Sequence, residues 1–209
     1  QYGAEISALM LSKQKLVHSS LWGGDLEAFI FQGSARGLFR KKDVLFSVAD
    51  TSVYRLGKKA PFGSILGARG PSGIFAAGVD TPLNNWFRKV YIDRYSVPPV
   101  GGSYQAAQGV LAAKYAYDAA AKANGGKFPN KDQVIAALEG ATYQGIAAKV
   151  YMNRSNGHQA ATKHMIGVLQ WDKEAGGPIM TKVTEFGPDC VMPPPGVNGT
   201  EWLKGGMKG

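Results

Sequence analysis

The sequence predicts an α/β fold with a parallel sheet, and three observations carry that expectation. Two apolar, strand-like runs, Leu16–Ser20 and Asp43–Val48, are separated by one amphipathic helical stretch. A strand, a crossover helix and a second strand make a βαβ unit, whose strands run parallel. The 28 glycines among 209 residues supply the tight turns such a chain needs. With 44% hydrophobic and 19% charged residues the composition supports a sizeable core and excludes wholesale disorder.

Each element follows from local pattern. Tyr2 to Ser12 carries Ile6, Leu9 and Met10 at helical spacing. After the first strand, Gly23-Gly24 breaks the run, and Asp25 is expected to cap a helix with Leu26, Phe29, Ile30 and Gly33 on one face. Gly37 suits its C-terminal stop. Gly63–Ala68 reads as a third strand. Thr81-Pro82 opens a helix with a capping hydroxyl and Pro at the first helical position, its face expected as Leu83, Trp86, Phe87 and Val90. A longer helix spans Ser103–Ala123, and Asn130 with Gln133 forms a capping-box pattern for a helix to Gly140. His164–Trp171 and Ile179–Phe186 read as strands joined by a turn at Asp172–Pro178, and the tail from Gly187 as irregular. The chain opens on a helix with no strand before it, which reads as a truncated N-terminus.

The net charge of +9 raises the question of a nucleic-acid or anionic partner. The cations are dispersed, the densest groups being Arg40-Lys41-Lys42 and Lys58-Lys59, so a solvated basic face is the reading adopted and no nucleic-acid partner is expected. Cys190 is the one cysteine and closes no internal disulfide. No apolar run reaches the roughly 18 residues of a membrane span. There is no GxSxG elbow, HExxH or CxxC, and Gly67-Ala68-Arg69-Gly70 lacks the ending of a P-loop. His18 is expected to be a core residue of its strand, and neither His158 nor His164 has a carboxylate pair at ligand spacing. The expectation is therefore no catalytic residue, no metal and no cofactor. Asn153-Arg154-Ser155 and Asn198-Gly199-Thr200 match the glycosylation sequon, a pattern short enough to arise by chance.

Open α/β sheets bind ligands at the carboxyl ends of their strands. Two loops take that place here, Leu21–Asp25 and Val48–Ser52. Gly23 and Gly24 would admit a ligand to the free N–H groups of a helix start. Asp50 is the candidate for an ammonium, and Trp22 for an apolar wall or cation–π face. Asp25, Arg69 and Tyr104 complete the candidate set. Each has a plainer reading: Asp25 and Asp50 as helix caps, Trp22 and Tyr104 as core, Arg69 as a solvated charge.

The order of a strand, Trp22-Gly23-Gly24-Asp25, a helix, RGLF at 36–39 and a second strand resembles the second lobe of type I periplasmic solute-binding proteins of the branched-chain amino-acid-binding type. So do GARGP at 67–71, LNNWFRKVYIDRY at 83–95, PPVGGSYQAAQGVLAAKYAYDAA at 98–120, KDQVIAALEGATYQG at 131–145, GHQA at 157–160 and IGVLQWDKEAGGPIM at 166–180. The resemblance implies a periplasmic protein that closes two lobes on a solute and delivers it to the membrane permease of an ABC transporter. It implies three segments: second-lobe α/β structure over 1–97, helices returning toward the first lobe over 98–145, and strands with an irregular tail over 146–209. It also implies that Asp50 holds the solute's ammonium and that Trp22 flanks it, while the first lobe's contacts lie upstream. Ser72 and Ala147-Ala148 depart from the family's Gly and aromatic at these places, implying a different pocket and strand turn. The function expected is binding of an amino acid or related small organic molecule for uptake. A sensing domain of the same fold and an α/β enzyme are the alternatives.

Overall fold

Alternation with a period of two sets the central sheet. In β1 (Leu16–Ser19) Val17 and Ser19 are buried while Leu16 and His18 face out. In β2 (Asp43–Phe46) Val44 and Phe46 are buried, and in β3 (Ile65–Ala68) Leu66. The computed structural model describes residues 1–154, 159–161, 163–194 and 196–207. In it β1, β2 and β3 are parallel, with Val17 opposite Val44 and Phe46 opposite Leu66. Two long strands extend the sheet antiparallel, β7 (His164–Asp172) against β3 and β8 (Gly177–Phe186) against β7, giving the order β1-β2-β3-β7-β8. The expected parallel α/β sheet is present, with an antiparallel flank.

Helices α1 (Gly3–Leu11), α2 (Gly23–Ala35) and α3 (Leu38–Lys41) bring Ile6, Leu26, Phe29, Ile30 and Leu38 onto the inward-facing strand residues as one core. Gly37 has φ 77° and ends α2, as its sequence position predicts. After β2 come a 3-10 turn at Ala49–Thr51 and the short α4 (Val53–Leu56), which buries Val53 and Leu56 in the same core. The β7–β8 turn is held by the Asp172 carboxylate, which accepts from the Ala175 N–H at 2.8 Å. A bulge interrupts this pair. Ile166 lies opposite Thr184 and Val168 opposite Thr181, and Lys182 takes up the extra length at φ 49°.

A second, smaller cluster gathers the middle of the chain. Ala76 of the 3-10 run Gly73–Gly78 packs with Tyr104, Ile146 and Ala147, flanked by Leu83 and Phe87. It joins α5 (Pro82–Tyr95) and α6 (Gly101–Ala123), with α7 (Lys131–Leu138) against α6. A separate antiparallel sheet is formed by β4 (Thr142–Gln144), β5 (Lys149–Met152) and β6 (Gln159–Ala161). The Thr81 hydroxyl accepts from the Asn84 N–H, and the Asn130–Gln133 capping box is reciprocal, at 3.0 and 2.9 Å.

Four expectations need correction. His18 is exposed, because Val17 and Ser19 take the inward positions, and its Nε2 lies 2.6 Å from Ser47 Oγ. Asp25 does not cap α2: the helix begins at Gly23, and Asp25 lies exposed in the first turn beside the Tyr2 phenol. The inward face of α5 is rotated. Trp86 and Val90 are exposed, while Asn84 is buried and its amide donates to the carbonyls of Ala76 (2.9 Å) and Val79 (2.7 Å). The tail is not wholly irregular, for α8 (Pro188–Val191) and α9 (Gly199–Lys204) form, the latter capped by Asn198. His158 and Ser155 lie outside the described residues.

Candidate functional site

Parallel pairing sends the loops after β1, β2 and β3 to one edge of the sheet. The first two touch there: the Ser52 hydroxyl donates to the Gly23 carbonyl at 3.3 Å, and the Gly23 N–H points to Thr51 Oγ1 at 3.5 Å. Gly23 has φ 57°, a conformation open to glycine, and no side chain caps α2. The N–H groups of this helix start are therefore free of side-chain partners from the N-cap position. Trp22 stands at this edge 70% exposed, available as a wall. Arg69 follows β3 to the same edge and is exposed. His164, at the start of the neighbouring β7, has its pKa lowered by burial and then by the Arg69 charge.

Asp50 is the organising residue of this edge. It is buried, and its carboxylate accepts backbone hydrogen bonds from Gly101, the first residue of α6, and from Thr51. The residue at the N-cap of α6, Val100, has no side chain able to cap, so the cap is supplied by a carboxylate from another element. The fit is close. A Cβ on Gly101 would lie 2.0 Å from Asp50 Oδ2, and one on Gly73, at φ 54°, 2.8 Å from the same oxygen. Burial raises the Asp50 pKa from 3.8 to about 6, and the backbone donors only partly oppose it.

Beside it lies a polar cluster that sequence reasoning missed. Arg88 of α5 is half-buried, and its guanidinium sits against the phenol oxygens of Tyr104 and Tyr54. Tyr104 is 1% exposed and its hydroxyl donates to Asn84 Oδ1 at 2.8 Å. Burial raises the pKa of both phenols, which stay neutral donors and acceptors. Arg88 Nη1 is shut from solvent without a hydrogen-bond partner. The signal was present in the sequence: Asn84, Phe87, Arg88 and Tyr91 fall on one helical stripe, with two polar residues where apolar ones are usual.

The structure thus brings Trp22, Gly23, Asp25 and Arg69 to one edge around the loop carrying Asp50, and joins Tyr104 to it through the start of α6. Tyr104 points into the Asn84–Arg88 cluster. A separate hollow lies at the opposite edge, lined by Lys58, Phe62, Trp171, Lys173 and Gly176. Among the described residues there is no group of acidic, His and Cys side chains able to hold a metal, and no helix is long and apolar enough to cross a membrane.

A family profile described as periplasmic binding protein matches residues 1–177. No curated protein sequence matches the chain. Three solved structures illustrate the likeness of fold. A solute-binding protein of an ABC transporter from Rhodopseudomonas palustris BisB5, in complex with 3,4-dihydroxybenzoic acid, superposes with a TM-score of 0.71 at 18% identity, covering 90% of this chain and 49% of that one. A leucine-binding protein from Thermotoga maritima MSB8 gives 0.66 at 14% identity, with the same two coverages. An amino-acid ABC transporter substrate-binding protein from Pseudomonas fluorescens Pf-5 gives 0.60 at 19% identity, again covering 90% and 49%. The chain spans about half the length of each of these structures.

Proposed function

Because the chain belongs to the periplasmic binding protein family, we propose that it supplies one side of the solute site of an ABC uptake transporter's binding protein. The solute is an amino acid or a related small organic molecule, including aromatic acids, and the receiving partner is the membrane permease. The compartment is the periplasm or its extracytoplasmic equivalent. The reading is of a binding protein rather than an enzyme.

One observation carries this reading. Three parallel strands deliver their loops to one edge, and Asp50 ties the start of α6 onto that edge. The sheet unit then corresponds to the second lobe, and α5–α7, which share the smaller core, to the part that leads toward the first. A solute placed between them meets Trp22 as a wall, Gly23 with the start of α2 as donors, and Asp25, Asp50 and Arg69 as charges, with Tyr104 behind. The solutes named for two proteins of similar fold, leucine and 3,4-dihydroxybenzoic acid, are both small organic acids.

Calorimetry against a panel of amino acids and benzoic acids tests the reading. Asp50→Asn is expected to weaken an ammonium-bearing solute by about 1.5–3 kcal/mol, the range of a charge-assisted hydrogen bond. Unchanged affinity restricts Asp50 to holding α6.

A further inference from the structure

We propose that Arg88 takes the anionic group of the solute, on the juxtaposition of its enclosed, unpartnered Nη1 with the hydroxyls of Tyr54 and Tyr104 beside the sheet's carboxyl edge. The inference rests on the solute-binding reading above and names the chemistry of its ligand: the carboxylate of a small organic acid. A guanidinium carries five N–H donors in a planar fork and stays charged at any physiological pH. Withdrawing such a group from water without an anion is costly, so half-buried arginines are ordinarily paired. Arg88 takes part in none of the ion pairs among the described residues, which are Arg55–Glu27, Lys89–Asp93, Lys114–Asp118 and Lys163–Glu185.

The surrounding groups leave the cation unneutralised and add donors. Asp50 accepts from the Gly101 and Thr51 N–H groups, its charge acts on Tyr54, and it forms none of these ion pairs. Tyr104 donates its proton to Asn84, so its oxygen meets Arg88 as an acceptor. Tyr54 comes from α4, directly after the Asp50 loop, and its O–H is left to donate to an incoming oxyanion. Arg88 therefore bridges the sheet unit, through Tyr54, and the α5–α6 unit, through Tyr104. An organic acid arriving at this edge would gain a fork of N–H donors and a phenol, with Trp22 available for its apolar part.

Thermal-shift titrations of the 209-residue chain test the assignment, with benzoate, its uncharged isostere benzamide, L-leucine and sodium sulfate as probes. Benzoate is expected to raise the melting temperature and benzamide not to. Arg88→Met, which removes the charge and the N–H donors, should abolish the benzoate effect. Arg88→Lys, which keeps the charge but not the fork, should weaken benzoate about ten-fold and tests the assignment even where the Met variant fails to fold. Benzoate and benzamide acting alike, sulfate acting as strongly as benzoate, or either variant responding like the wild type overturns the role of Arg88 while leaving solute binding intact. No response of the wild-type chain to benzoate, benzamide or L-leucine up to millimolar concentration overturns the solute-binding reading as well.

Discussion

Replacing Asp50 by Asn should make the fold more tolerant of neutral pH, because burial of the carboxyl opposes its ionisation. Asn keeps an oxygen for the Gly101 and Thr51 N–H groups but carries no charge. In the wild type, burial raises the carboxyl pKa from 3.8 to about 6. The folded chain therefore holds this proton more tightly than the unfolded chain. Stability from this group is full below about pH 4, falls as pH rises through the folded pKa near 6, and is level above it. At about 1.4 kcal/mol per pKa unit the whole excursion is worth about 3 kcal/mol. Asp50→Asn removes that titration. Urea denaturation of both proteins from pH 4 to pH 7 should show the stability difference moving in favour of Asn by about 3 kcal/mol. A difference independent of pH would refute the claim of a desolvated carboxyl. A difference moving in favour of Asn toward acid would show that the backbone donors of α6, not burial, dominate the site.

Four further outcomes follow from the same geometry. Gly101→Ala should destabilise by about 2 kcal/mol or more in chemical denaturation, because its Cβ would fall 2.0 Å from Asp50 Oδ2 and the carboxylate must leave the helix start. Thr81→Ala should cost about 1 kcal/mol in the same assay, the usual loss for a helix cap whose hydroxyl accepts from the N3 N–H, here Asn84. Trp22→Ala should leave stability within about 0.5 kcal/mol, since the ring is 70% exposed, while weakening solutes with an apolar part in calorimetry. The exposed Trp86, Val90, Val110 and Phe128, with Leu16 and Ile166 on the outer face of the sheet, should bind a hydrophobic dye and drive self-association; a clean monomer in analytical ultracentrifugation with no dye binding would count against it.

The elements that local chemistry defines were legible in the sequence. Gly37 at a left-handed helix end, the Thr81 cap, the Asn130–Gln133 box and the Asp172 turn each depend on residues a few positions apart. The strand–helix–strand order was equally plain, and with it the shared edge of the loops after β1 and β2. What stayed hidden depends on contacts distant in sequence. Asp50 offered itself as an ammonium ligand or a cap for the helix next to it, but its carboxylate reaches beyond the neighbouring Thr51 N–H to that of a helix starting at Gly101. The face of α5 was misjudged because hydrophobicity alone placed Trp86 and Val90 inward. Asn84 takes the inward position because the carbonyls of Ala76 and Val79 need a donor there. Arg88 then follows one helical turn later, toward phenols supplied by two other helices. His18 failed for a simpler reason: a one-residue choice of face decides whether a strand residue is core or surface.

The central claim is that the carboxyl edge of β1–β3 receives a small organic solute. Amide chemical-shift mapping of the ¹⁵N-labelled chain, titrated with benzoate and with L-leucine, tests it most directly. Saturable shifts are expected at Trp22–Asp25, Ala49–Ser52 and Gly101–Tyr104. Shifts confined to the opposite edge, around Lys58, Phe62, Trp171 and Lys173, or no saturable shifts with either solute, would contradict it.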